Sequence, residues 1–230
     1  MAGGTVRRPT RRRLTPLVLC YHAVSDDWPH RLALPADLLL RQVDALRRLR
    51  RVHVTFDDAF RSIVDVIPAL QERGLPVTIF VCTGFADAGG APLLIPELAS
   101  DDDRDVAELA TLTWDELRTL ASFGVEIASH TVTHARLPAI AGEDLSQELE
   151  ASKRRLEEEL GGPCDRLAYP YGRYDARVRA AARAAGYSEA FALRCLAGDR
   201  FARPRVDLYR RHTPIRALGR AASSPFSRSR

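Results

Sequence analysis

Short apolar runs rich in β-branched residues alternate with amphipathic stretches along most of the chain, and that alternation confines it to α/β folds with a parallel sheet. Leu17 to Tyr21, Val52 to Phe56, Val77 to Cys82, Val125 to Ser129, Leu167 to Tyr169 and Glu189 to Leu193 read as strands. Leu38, Leu39, Val43, Leu46 and Leu49 recur at helical spacing and predict a helix over 36–50, while Ile63, Val64, Ile67 and Leu70 form another face ending at Gly74. Thr113-Trp114-Asp115-Glu116 is a capping box for a helix to about Phe123. A charged helix over 143–160 ends at Gly161-Gly162-Pro163, an Ala-rich one over 175–185 ends at Gly186, and a last extended piece lies near Val206 to Arg210. In such folds the chemistry sits on loops at the C-terminal ends of the strands.

Bulk properties set the frame. At 230 residues, with 46% hydrophobic and 28% charged content, the chain is long enough for a single globular domain. The net charge of +4 is almost all arginine, Lys153 being the sole lysine, and much of it lies at the ends. Residues 1–13 and 216–230 therefore read as basic solvated tails around a 14–215 domain, and no nucleic-acid partner is expected. Cys20, Cys82, Cys164 and Cys195 form no C-x-x-C pair and read as buried thiols. Leu14 to Cys20 is too short, and too broken by Pro16, for a signal-peptide core, and no stretch approaches a transmembrane segment, so the expected location is cytoplasmic. The acidic group Asp101 to Asp103 and Asp105 lacks EF-hand spacing and reads as a solvated loop. The sequence carries no signal for oligomeric state.

Three strand ends are chemically unusual: Asp57-Asp58, His130-Thr131-Val132-Thr133-His134, and Tyr169-Pro170-Tyr171-Gly172. Alone, the Asp pair reads more readily as a helix cap with a solvated neighbour. Two histidines four apart are expected on one face of a helical turn, close enough to share an ion. Two histidines and one carboxylate make an open, catalytic-type site, in which a second carboxylate takes a proton from water. The Tyr-Pro-Tyr-Gly segment alone is an ordinary turn signal.

In this order, Thr55-Phe56-Asp57-Asp58, His130-Thr131-Val132-Thr133-His134 and Tyr169-Pro170-Tyr171-Gly172 resemble the polysaccharide deacetylases of the NodB-homology type, carbohydrate esterase family four. Tyr21-His22 matches the opening of many members, and the likeness runs from about Leu17 to Leu193. The resemblance implies a distorted (β/α) barrel of about seven or fewer units and removal of N-acetyl groups from a glycan by a divalent cation, zinc first, cobalt or nickel as substitutes. It implies Asp57 as general base and Asp58, His130 and His134 as metal ligands. Tyr169, Pro170, Tyr171 and Gly172 would shape the acetyl pocket, the Tyr171 N–H helping to hold the oxyanion. Thr131 and His22 would support the site.

The departures from the family pattern are specific. Ala59 replaces the usual glycine, and Ala168 stands where an arginine orients the base, leaving Arg166 or Arg173 as substitutes. A late Asp and Trp motif and a Leu-x-His are missing, which makes His212 the candidate general acid, with a surface histidine as the competing reading. The connection from the first helix to Val52 is short, and a barrel element is expected to be missing there. Beside the N-deacetylase stand an O-deacetylase, a metal-independent hydrolase of cyclic amides, and a degenerate member that binds glycan or metal without turnover.

Overall fold

The computed structural model describes residues 15–98, 102–193 and 198–223. In chain order these form β1 (Leu17–Tyr21), β2 (Ala23–Val24), β3 (Ala33–Leu34), α1 (Ala36–Arg47), β4 (Val52–Phe56), α2 (Ile67–Glu72), β5 (Val77–Val81), α3 (Thr83–Asp87) and α4 (Asp103–Glu108). There follow α5 (Trp114–Ser122), β6 (Glu126–Ser129), α6 (Gly142–Leu160), β7 (Arg166–Ala168), α7 (Ala176–Ala184), β8 (Glu189–Ala192), β9 (Arg203–Pro204), β10 (Val206–Asp207) and α8 (Pro214–Ser223).

The main sheet is parallel throughout, in the order β10-β1-β4-β5-β6-β7-β8-β9. β9 pairs with β8 and β10 pairs with β1, while only Arg205 separates β9 from β10. One extended segment thus joins both edges and closes the sheet into a distorted barrel with seven strand positions. Strands covered on both faces need near-continuous apolar runs, and β1 and β5 are buried over their full length. Helices supply the outer cover through one stripe each, such as Leu39, Val43 and Leu46 on α1. No described helix is long and apolar enough to cross a membrane.

The short connection before β4 leaves no gap. β1 and β4 pair over all five residues, Leu17↔Val52 to Tyr21↔Phe56, with α1 as the crossover. One loop expectation is also corrected: Asp102 caps α4, which takes in Asp103 and Asp105. Ala33-Leu34 pairs with Ala23-Val24 in a separate two-stranded sheet. Asp101 and Cys195 lie outside the described residues, and Cys20, Cys82 and Cys164 are buried free thiols.

The C-terminal boundary moves as well. Residues 216–223, read as tail, belong to α8, which packs on α1 and buries Ala217. Residues 1–13 and 224–230 lie outside the described residues.

Charged side chains fill the N-terminal end of the barrel. Arg166 pairs with Glu126 and Glu189, Arg203 pairs with Glu189, and Thr78 Oγ1 links Glu126 to His53. Arg166 is therefore committed two residues below Ala168 and cannot orient a base at the other end. Arg173 is exposed on the rim.

Candidate active site

Asp57 and Asp58 follow β4 directly. Asp57 continues its alternation and points inward, whereas Asp58 and Ala59 take left-handed φ values of 69° and 54°. Left-handed geometry costs a non-glycine residue about 1–2 kcal/mol, and here it turns two adjacent carboxylates onto one side of the barrel mouth. The segment after β6 repeats the device: Thr131 and His134 have φ values of 73° and 62°. The two histidines are thus not on a helical turn, as their spacing suggested. A left-handed loop brings their rings to 5.1 Å between centroids.

His130 Nε2 and His134 Nε2 lie 3.4 Å and 3.2 Å from Asp58 Oδ1, all three side chains being buried. Burial pushes His130 down to about 4 against the opposing pull of Asp57 and Asp58. Its Nδ1 lies 2.8 Å from the Ala168 carbonyl, which can only accept, so the neutral ring places its proton there and aims the Nε2 lone pair at Asp58. Asp58 Oδ1 has no hydrogen-bond partner. Acceptors converging in a buried space are unfavourable unless a cation lies between them. Asp58, His130 and His134 therefore suit a metal ion, and their ligand atoms lie within 4.8 Å of one another.

Asp57 is held by a residue that the sequence reading missed. Arg205 donates from Nη1 to Oδ1 at 2.5 Å and from Nη2 to Oδ2 at 2.7 Å, and both side chains are buried. Burial alone would raise the Asp57 pKa, but Arg205 and His130 outweigh it and hold the carboxyl well below the usual range. Arg205 Nη1 also reaches Thr55 Oγ1, and the guanidinium lies over the Phe80 ring. The position left vacant by Ala168 is thus served from the segment that closes the barrel.

The remaining expected residues divide into two groups. Tyr171 packs edge-on against His134 at 4.6 Å; its hydroxyl donates to Glu97, and Arg136, paired with Glu97, stacks over its ring. The turn Pro170–Gly172 holds Tyr171 at φ 60°, and a Cβ on Gly172 would fall 2.8 Å from the Leu193 nitrogen, so only glycine fits. A nitrogen of His22 lies within 4.8 Å of Cys20 Sγ and an Asp57 oxygen, with its ring stacked on Tyr209. Thr131 is buried in the ligand loop, its N–H donating to Ser129 Oγ. Tyr169, by contrast, is core: its ring stacks on Tyr174 and its hydroxyl donates to the Phe201 carbonyl. His212 is buried rather than at the surface, its Nδ1 accepting from the Tyr209 N–H.

His130 gives the metal-free protein a defined acid sensitivity. Its pKa is lower folded than unfolded, so the unfolded chain binds more protons between about pH 6.5 and 4 and stability falls as pH drops through that window. The expected loss is about 3 kcal/mol at about 1.4 kcal/mol per unit, and His53, also pushed to about 4 by burial, Arg166 and Arg203, acts in the same direction. Asp57 acts in the same direction in a lower window: its contribution is complete above about pH 4 and is lost as pH falls below that. Urea unfolding of the metal-free protein at pH 7 and pH 4.5 checks this, and equal stabilities would contradict the buried neutral His130.

Fold and site together define a parallel (β/α) barrel carrying a two-histidine, one-carboxylate cluster and an arginine-held aspartate at its C-terminal mouth. The chain belongs to the polysaccharide deacetylase family, whose sequence model matches residues 47–190. YxkH of Bacillus subtilis (strain 168), named for the same family, is 26% identical over 153 residues. That match takes in 66% of this chain and 47% of YxkH, so the chain spans about half the length of this curated relative. Among solved structures, the Streptococcus pyogenes deacetylase PplD in complex with acetate superposes with a TM-score of 0.74 at 20% identity, covering 90% of this chain and 97% of PplD. IcaB from Ammonifex degensii gives 0.69 at 22% identity over 90% and 95% of the two chains. BC0361 of Bacillus cereus gives 0.71 at 20% identity over 89% and 68%. These likenesses establish a shared fold.

Proposed function

We propose that this chain is a divalent-cation-dependent deacetylase that hydrolyses N-acetyl groups of a sugar polymer or oligosaccharide. The observation that carries this reading is the unpartnered Asp58 Oδ1 facing two imidazole Nε2 atoms beside an aspartate clamped by Arg205. Zinc, or cobalt or nickel in its place, held by Asp58, His130 and His134, would polarise the acetyl carbonyl and acidify a water molecule. Asp57, kept ionised and aimed by two hydrogen bonds, takes the water's proton. The left-handed Tyr171 supplies its N–H to the developing oxyanion. For the proton delivered to the leaving amine, His22 next to Asp57 is the better-placed group, because His212 has one ring nitrogen engaged in its own turn. A groove of about 830 Å³ lined by Pro138, Tyr171, Gly172, Tyr174, Leu193 and Arg220 gives the flanking sugars room.

Acetate release from N-acetylglucosamine oligomers by metal-stripped protein, before and after adding zinc or cobalt, tests this directly. Release that depends on added cation is the expected result. Cation bound at one per chain without release from any N-acetylated oligomer would favour a non-catalytic binding member or an O-deacetylase. Absence of cation binding would overturn the reading.

A further inference from the structure

The ligand loop 130–134 contains two left-handed non-glycine residues, each costing about 1–2 kcal/mol. Left to itself such a loop would relax and separate its histidines, so something outside it must hold it. Two elements do. From α6, the buried Glu148 carboxylate accepts the Val132 N–H at 2.8 Å, the Thr133 N–H at 3.0 Å and the Thr133 hydroxyl at 2.6 Å. From α3, the Thr83 and Gly84 N–H groups donate to the Thr131 and Val132 carbonyls at 3.1 Å and 3.0 Å. Gly84 is required by the closeness of this approach, since a Cβ there would lie 2.9 Å from the Val132 oxygen.

We infer that Glu148 and Gly84 are positioning residues that set the affinity of the Asp58–His130–His134 site for its cation, Glu148 by fixing the N–H side of the ligand loop and Gly84 its carbonyl side. The inference rests on the metal-site reading above. Neither residue supplies a ligand atom to the Asp58–His130–His134 cluster; each acts through the loop backbone. A carboxylate with three donors on it is matched by no neutral residue, but glutamine keeps a carbonyl oxygen for the two N–H groups, and the Thr133 hydroxyl can reverse to accept from its amide. Alanine leaves the Val132 and Thr133 N–H groups without their protein partner.

The test is zinc titration of the metal-stripped 230-residue chain against a chelating indicator, with melting of the same metal-free samples in parallel. Glu148→Ala and Gly84→Ala are expected to weaken zinc binding by about 10- to 100-fold, as loss of outer partners typically does, and Glu148→Gln by less than either. A residue serving only the fold would lower the melting temperature and leave the zinc affinity of the folded fraction unchanged, and that outcome overturns the inference. If Glu148→Ala does not fold, Glu148→Gln and Gly84→Ala decide, and wild-type affinity in both overturns it equally. If the wild-type chain itself binds no zinc, the metal-site reading fails and the inference with it; if wild type binds and the variants bind as well, the inference alone fails.

Discussion

Arg205→Met is expected to cost about 3–5 kcal/mol of folding stability, because it leaves Asp57 as an unpaired charge in the barrel interior. It is also expected to reduce acetate release by about 10²- to 10⁴-fold, the range of a displaced general base. The two losses have one cause. Asp57 receives both guanidinium hydrogen bonds, so removing the partner takes away its aim and its charge stabilisation together. Burial, now unopposed by Arg205, would push the Asp57 pKa upward, and residual activity should acquire an acid limb where the wild type has none from this group. The double variant Asp57→Asn/Arg205→Met separates the effects: with the buried charge gone it should regain most of the stability but none of the activity. Denaturant unfolding and acetate release on the four proteins complete the cycle. An Arg205→Met protein as stable and active as wild type would show that this pair neither supports the fold nor aims the base.

That Arg205 escaped the sequence reading has a physical reason. It lies 148 residues from Asp57, on a segment whose strands are two residues each, too short to show a period. A signal did exist. A barrel must pair its last strand with its first, and alternation from the extended piece near Val206 puts Arg203 and Arg205 on the inner face. The strands β4, β5 and β8 were readable within a residue because continuous apolar runs are what a strand covered on both sides needs. The ligands were readable because carboxylates and histidines at strand ends are chemically conspicuous. Their geometry was not, since Asp58, Ala59, Thr131, His134 and Tyr171 all adopt positive φ without being glycine. Each is held there by tertiary contacts that local propensity does not encode. For α8 the difficulty was its neighbourhood in the sequence: Arg216 and Arg220 lead into the Ser- and Arg-rich run 223–230, so the stretch reads as solvated, yet Ala217, with Leu218 and Ala221, suffices to seat it on the core.

Asp58→Asn is the second change with a large expected effect, and its sign on stability is opposite to intuition. In the metal-free chain Asp58 Oδ1 faces two imidazole nitrogens without a hydrogen bond. An asparagine amide at that place donates to them instead, so the metal-free variant should melt no lower than wild type, and higher if both donations form. Cation binding is where it loses. For wild type, a cation at about 100 times its dissociation constant adds about 2.7 kcal/mol of stability, which appears as a rise in melting temperature. In Asp58→Asn that rise should vanish, because a neutral amide does not replace an anionic oxygen opposite a divalent ion, and acetate release should fall to the metal-free level. Melting curves with chelator and with zinc, run on both proteins, read out each part separately. A zinc-induced rise that survives the substitution would remove Asp58 from the ligand set, and with it the division of labour between neighbouring carboxylates, one holding the ion while the other moves the proton.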